Sequence, residues 1–261
     1  LGTASLAASA ATAPRAIGRR RRQPTTSRRA GSRACLREAQ STCRRDQACD
    51  DIGARGSRSL QLRTVGMQLI VLRHGATHWN IDRRIQGRAD LPLAPAGRAQ
   101  VASWRLVPAW LELPCLASPL RRALETAKLL GLTQLSIVPE LIEMDWGRFE
   151  GSTLAELRAK GGRAFAANEA KGLDFRPLDG ESPREVTVRL SRWLVNLPAE
   201  EGQAVIVTHK GVRRALLALA TGWDMCGVPP IKVRDEQAML IDLHPGGCPV
   251  LYGLHSLEES T

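Results

Sequence analysis

From residue 68 onward, short apolar runs alternate with stretches whose apolar positions recur at helical spacing, and this predicts strand after helix along the chain. Residues 68–72 (QLIVL) are continuously apolar, stop at Arg73, and predict a buried strand. Residues 96–104 read as a helix that ends ahead of Pro108. After a short candidate strand at 115–117, Ser118-Pro119 opens a helix, with serine as N-cap and proline at the first helical position. That helix runs to Leu130 and stops at Gly131. Residues 136–138 are a further candidate strand, and Ser182-Pro183-Arg184-Glu185 is a capping box that starts a helix reaching about Val195. Residues 204–208 (AVIVT) form the plainest buried strand, followed from Gly211 by a helix ending at Gly222. A last strand falls at 237–243. Strands alternating with helices predict an α/β fold: a three-layer α/β/α sandwich around a mostly parallel central sheet. No internal repeat is visible.

The pattern does not extend upstream of Met67. Residues 1–66 hold 14 Arg, no Lys and 4 acidic residues, and neither an aromatic residue nor a methionine. The remainder carries 23 basic and 22 acidic residues, so nearly all of the formal +11 charge belongs to this leader. An Ala/Ser/Arg/Gly-rich segment without periodicity cannot bury enough surface to offset its chain entropy, and is expected to be disordered. Three origins fit it: upstream sequence that is not natively translated, an organelle transit peptide, or a basic arm for nucleic acid or acidic membrane. The run Arg19–Arg22 lacks the interleaved aromatics that stack on bases, which favours the first two. The near-neutral body, 67–261, is expected to bind no nucleic acid.

No apolar stretch approaches the roughly 18 residues that span a bilayer, and no apolar segment follows the arginine run as in a secretory signal. Cys35, Cys43 and Cys49 lie in the leader, and Cys115, Cys226 and Cys248 in the body, without C-x-x-C spacing. Reduced thiols in a cytoplasmic compartment are the simplest expectation, or an organelle if the leader is a transit peptide.

Candidate chemistry gathers at two predicted strand ends. Arg73-His74-Gly75 follows the first strand, and Thr208-His209-Lys210-Gly211 follows the strand at 204–208. In a parallel sheet, ligands bind outside the carboxyl ends of the strands. A helix N-terminus attracts anions, and arginine grips phosphate through a planar fork of donors. Neutral imidazole is a competent nucleophile, and neighbouring positive charge keeps it neutral. A lone histidine here would read as a hydrogen-bonded surface residue; two with an arginine suit phosphoryl transfer.

Residues 72–80, LRHGATHWN, resemble the signature of the histidine phosphatase superfamily in its phosphoglycerate mutase-like branch, of the α-ribazole or small-molecule phosphatase type. Further stretches match in order up to about His244: QGRADLPL at 86–93, SPLRRA at 118–123 with Thr126-Ala127, LIEMDWGRFEG at 141–151, and Gly180-Glu181-Ser182. The resemblance implies roles. His74 is the nucleophile, while Arg73, Arg122 and His209 hold the phosphoryl oxygens. Glu143 serves as proton donor and acceptor, and Arg121 is exposed. Asn80, Gln86, Gly87 and Lys210 are candidates for substrate contact. Ala76 and Lys210 depart from the family pattern, where Glu or Gln and Gly are more usual; Lys210 either adds a cation beside the phosphate or points away. His74 and His78 are four apart, but Gly75 argues against the shared helix a metal pair needs, so neither metal nor cofactor is expected.

The implied activity is hydrolysis of small-molecule phosphate monoesters through a phosphohistidine. The first alternative is a phosphoglycerate mutase; a remoter one is an inactive phosphatase fold with a basic nucleic-acid-binding arm. The 28 residues 152–179 are expected to form a short lid, kept mobile by Gly161-Gly162 and Gly172. Mutases of the family carry a longer insertion there. Arg158, Lys160, Arg163, Lys171 and Arg176 suit small acidic metabolites; α-ribazole phosphate, sugar phosphates and phosphoglycerates remain open, as does oligomeric state.

Overall fold

A computed structural model describes residues 66–197 and 202–258, so the leader expectations lie outside the described residues. The strands are β1 (Met67–Arg73), β2 (Cys115–Ala117), β3 (Leu135–Ile137), β4 (Gly202–Thr208), β5 (Gln237–His244) and β6 (Cys248–Ser256). They form one sheet in the order β3-β2-β4-β1-β5-β6. β3, β2, β4 and β1 run parallel, and β5 and β6 add an antiparallel edge.

Alternation along each strand builds two cores. In β1, Leu69 and Val71 face one side with Ala204 and Ile206 of β4, while Ile70 and Leu72 face the other with Val205 and Val207. Helices α5 (Pro183–Val195) and α6 (Lys210–Thr221) cover the first face through Leu190, Leu194, Val212 and Leu216. Helices α2 (Pro95–Ser103) and α3 (Arg121–Leu129) cover the second through Val101, Ala123 and Ala127. This is the expected three-layer α/β/α arrangement. All four apolar residues from Leu69 to Leu72 are fully buried. At roughly 1.5–3 kcal/mol each, they fix β1 in the centre of the sheet.

The order places β1 beside β4 even though two strands intervene in sequence. The chain builds outward from β1 to β2 and β3, returns to insert β4, then builds the other edge. The β1/β4 pair is therefore the point where strand order reverses, and side chains just past the two strands share one crevice.

Several local readings need correction. Ser118 is not an N-cap: α3 begins at Arg121 with Leu120 as its N-cap and no side-chain cap. Residues 152–179, where a short lid is expected, hold a helix, α4 (Leu154–Glu169), capped by a Thr153/Glu156 box and kinked at Gly162, where φ is 48° and ψ −134°. It is seated by Phe165, which packs near Phe149 and Phe175. Strand β6 escaped notice because Pro249 and Gly253 interrupt it; as an edge strand it needs fewer ladder donors. Among the described residues, Cys115 and Cys226 are free thiols. Among the described residues, no helix is long and apolar enough to cross a membrane.

Candidate active site

The parallel register that pairs Arg73 with Thr208 brings the ends of β1 and β4 together. The backbone N–H of His74 donates to Thr208 O at 2.9 Å, so His74 and His209 leave adjacent strands side by side. Their ring centroids are 5.0 Å apart. His74 is 5 % exposed and His209 fully buried.

Their hydrogen bonds fix the tautomers. His74 Nδ1 lies 2.7 Å from Gly75 O, which can only accept, so Nδ1 carries the proton and Nε2 the lone pair. Arg122 Nε points its single N–H between His74 Nε2 at 3.3 Å and His209 Nδ1 at 3.2 Å. His209 Nε2 therefore carries its own proton and donates to the fully buried Ser118 Oγ at 2.7 Å. Both imidazoles are held neutral, with pKa values well below the ordinary 6.5. Burial is the largest cause for each, followed by Arg73 and Arg122 at His74 and by Arg122 at His209.

Arg122, on the first turn of α3, is 1 % exposed. Its Nη1 and Nη2 donate to Ala89 O at 2.8 Å and Gly87 O at 2.7 Å. Burial lowers its pKa to about 10, partly offset by Glu143, Asp90 and Glu150, so it stays a cation at neutral pH. Arg121, by contrast, pairs with Glu125 at the surface, as expected. Arg73 binds Asp235 through Nη1, while its Nε is buried without a protein partner.

Glu143 is 7 % exposed and lies on the loop after β3. Its Oε1 accepts from Met144 N at 2.8 Å and its Oε2 from Gly211 N at 3.1 Å, in the first turn of α6. A Cβ on residue 211 would stand 2.3 Å from Oε1, so only glycine admits this approach. Arg189 braces the loop from α5: it donates to Glu140 O, to Ile142 O at 2.7 Å, and to Glu181 Oε1 at 2.9 Å.

The four substrate-contact candidates divide. Asn80 Oδ1 is committed to the Thr77 capping box of the short helix α1 (His78–Ile81), and Gly87 O to Arg122. Gln86 Oε1 accepts from Thr77 Oγ1 at 2.8 Å, leaving a buried Nε2 without a partner. Lys210 opens α6, and its pKa is lowered by burial and then by Arg73. Ser118, Asp235, Glu150 and Arg189 were not singled out. Ser118 was masked by its resemblance to a helix cap, and each of the other three meets a partner 47 or more residues distant along the chain, such as Arg189 with Ile142.

Of the lid's basic residues, Arg158 pairs with Glu169 and Arg176 with Glu185. Arg176, with Lys160 and Lys171, also borders a cavity of about 610 Å³ lined by Phe149, Phe165 and Leu178 and by neither histidine. Among the described residues no cluster of three or more His, Cys, Asp or Glu side chains is poised to hold a metal ion.

Residues 69–252 match the model of the histidine phosphatase superfamily, branch 1. The chain belongs to that superfamily. Its relatives include both reaction types. It is 30 % identical over 202 residues to a wheat (Triticum aestivum) 2-carboxy-D-arabinitol-1-phosphatase, covering 74 % of this chain but only 41 % of the wheat protein. It is likewise 30 % identical over 204 residues to a 2,3-bisphosphoglycerate-dependent phosphoglycerate mutase of Methylobacterium radiotolerans, covering 72 % of this chain and 90 % of the mutase. The superfamily fold matches a mycobacterial glucosyl-3-phosphoglycerate phosphatase solved with VO3. The TM-score is 0.58 at 26 % identity, over 74 % of this chain and 99 % of that one.

Proposed function

We propose that the protein is a metal-independent phosphatase that hydrolyses small-molecule phosphate monoesters through a phosphohistidine on His74. The observation that carries this reading is the Arg122 Nε–H set between His74 Nε2 and His209 Nδ1. It aims a nucleophilic lone pair and a fixed positive charge at one point in a buried crevice.

The incoming phosphoryl group displaces that contact. His74 Nε2 attacks phosphorus in line, while the proton on its Nδ1 stays on the ring and is donated to Gly75 O. The bond from phosphorus to the ester oxygen breaks, and Glu143 protonates the departing oxygen. Arg73, Arg122 and His209 hold the non-bridging oxygens, His209 through Nδ1 once Arg122 turns to the phosphate, the ring proton shifts to Nδ1 and Ser118 Oγ–H donates to Nε2 instead. The unpartnered Arg73 Nε is one donor a phosphate oxygen would match. Glu143 then takes a proton from water, whose oxygen attacks phosphorus and breaks the P–N bond. Inorganic phosphate leaves and the free imidazole returns. Glu143 sits close enough to the Arg122 guanidinium to raise the arginine's pKa, so its carboxyl lies near the group that would grip the phosphate.

The mutase reading requires water to be kept from the phosphohistidine while a second hydroxyl collects the phosphate. The short lid, with a single kinked helix, favours hydrolysis. Phosphate release and interconversion of 3- and 2-phosphoglycerate should be measured together, with bisphosphoglycerate as primer. Free phosphate is expected to dominate with a panel of phosphate monoesters. Interconversion much faster than phosphate release would replace this reading with the mutase.

A further inference from the structure

We infer that Glu150 is a positioning residue that ties the seating of the lid to the geometry of Arg122; the inference rests on the phosphoryl-transfer reading above. Glu150 Oε1 accepts from Arg88 N at 2.6 Å and Oε2 from Ala89 N at 3.1 Å. The same short loop presents Gly87 O and Ala89 O to the Arg122 guanidinium. The peptide unit joining Gly87 to Arg88 thus has a carboxylate on its N–H and a guanidinium on its C=O. Each bond polarises the unit in the sense that strengthens the other. Glycine suits residue 87: φ is +55°, and a Cβ would stand 1.9 Å from Glu150 Oε1, so any side chain there would push the carboxylate off the loop.

Immediately after Glu150 the chain enters the lid, which is stitched to the same segment. Gly151 N donates to Ile85 O at 2.8 Å, and Ile85 N to Ser152 O at 2.9 Å. Arg84 Nη1 donates to Gly151 O at 2.7 Å, and Arg84 forms an isolated bridge with Thr153. A lid that lifts at its root draws Glu150 from the loop, and Arg122 loses its two carbonyl anchors. The registry of Arg122 with both imidazoles then depends on whether the lid is seated. Glu150 meets the reacting atoms only through the loop and Arg122, so it positions and does not touch substrate.

The test compares wild type, Glu150→Gln, Arg122→Met and the double variant, by orthovanadate binding calorimetry and by kcat/KM for p-nitrophenyl phosphate. Glu150→Gln keeps the side-chain volume and one acceptor oxygen, and thermal melting alongside reports folding. Vanadate affinity and kcat/KM are expected to fall by about ten- to a hundredfold. In the Arg122→Met background the same change should cost little, because the effect runs through Arg122. Equal vanadate affinity in wild type and Glu150→Gln, or additive losses in the double variant, would overturn the inference. Wild type that binds no orthovanadate would instead overturn the phosphoryl-transfer reading on which it rests.

Discussion

Replacing Arg122 with methionine separates what a buried cation does for the fold from what it does for the reaction. Burial lowers the arginine's pKa from 12.5 to about 10, which at 1.36 kcal/mol per pH unit amounts to roughly 3 kcal/mol against keeping the charge in the folded chain. Methionine removes that cost and fills similar volume. It also strands Gly87 O and Ala89 O, now held at 2.7 and 2.8 Å, at about 1–3 kcal/mol each. The two effects nearly offset, leaving a net change between about 1 kcal/mol of stabilisation and about 3 kcal/mol of destabilisation, and a Tm within about 10 °C of wild type. Catalysis has no such compensation. The guanidinium is the fixed charge beside both imidazoles, and loss of one preorganised donor of this kind typically costs about 10²–10³ in rate. Arg122→Met should therefore melt cooperatively within about 10 °C of wild type yet lose at least about a hundredfold in kcat/KM. Circular dichroism melting with p-nitrophenyl phosphate kinetics measures both. Activity retained within threefold, or a variant that fails to fold, would refute the reasoning.

The depressed pKa values of His74 and His209 set the pH behaviour. The nucleophile stays neutral below the ordinary histidine range, so the acid limb of kcat/KM should fall well under pH 6.5 and move upward in Arg122→Met; a wild-type limb at or above 6.5 contradicts this. Stability has a defined sign: the unfolded histidines bind protons below about 6.5 and the folded ones do not, so stability is lost as pH falls from 6.5 toward the folded values. The decline of Tm in that window should flatten in His209→Gln, and an unchanged slope would count against the assignment. Glu143→Gln should cut kcat/KM for alkyl phosphates by about 10²–10⁴ but spare kcat/KM for p-nitrophenyl phosphate, whose leaving group needs little protonation, while kcat falls on both because water attack still needs the base; equal losses in kcat/KM on both would remove Glu143 from the proton-donor role.

Local signals carried much of the architecture. The continuous apolar runs of β1 and β4 and the capping box at Ser182 are visible because strand burial and helix initiation are written in neighbouring residues. The five residues proposed for the reaction do converge, since strand ends in a parallel sheet leave little choice of placement. Long-range partners were not legible. Asp235 meets Arg73 across 162 residues, and Ser118 meets His209 across 91. Neither carries a local mark that separates it from a surface acid or a helix cap. Helix α4 was hidden for the opposite reason: Gly161-Gly162 reads as a break, and it is one, but Phe165 and the Thr153/Glu156 cap outweigh its cost.

The central claim is covalent transfer of the phosphoryl group to His74 Nε2. Rapid mixing with a ³²P-labelled monoester, quenched within the turnover time under alkaline conditions that preserve phosphohistidine, tests it directly, with His74→Ala in parallel. The account predicts label on a single peptide containing His74, none in the variant, and hydrolysis by the variant near background. Hydrolysis by His74→Ala at the wild-type rate would contradict it.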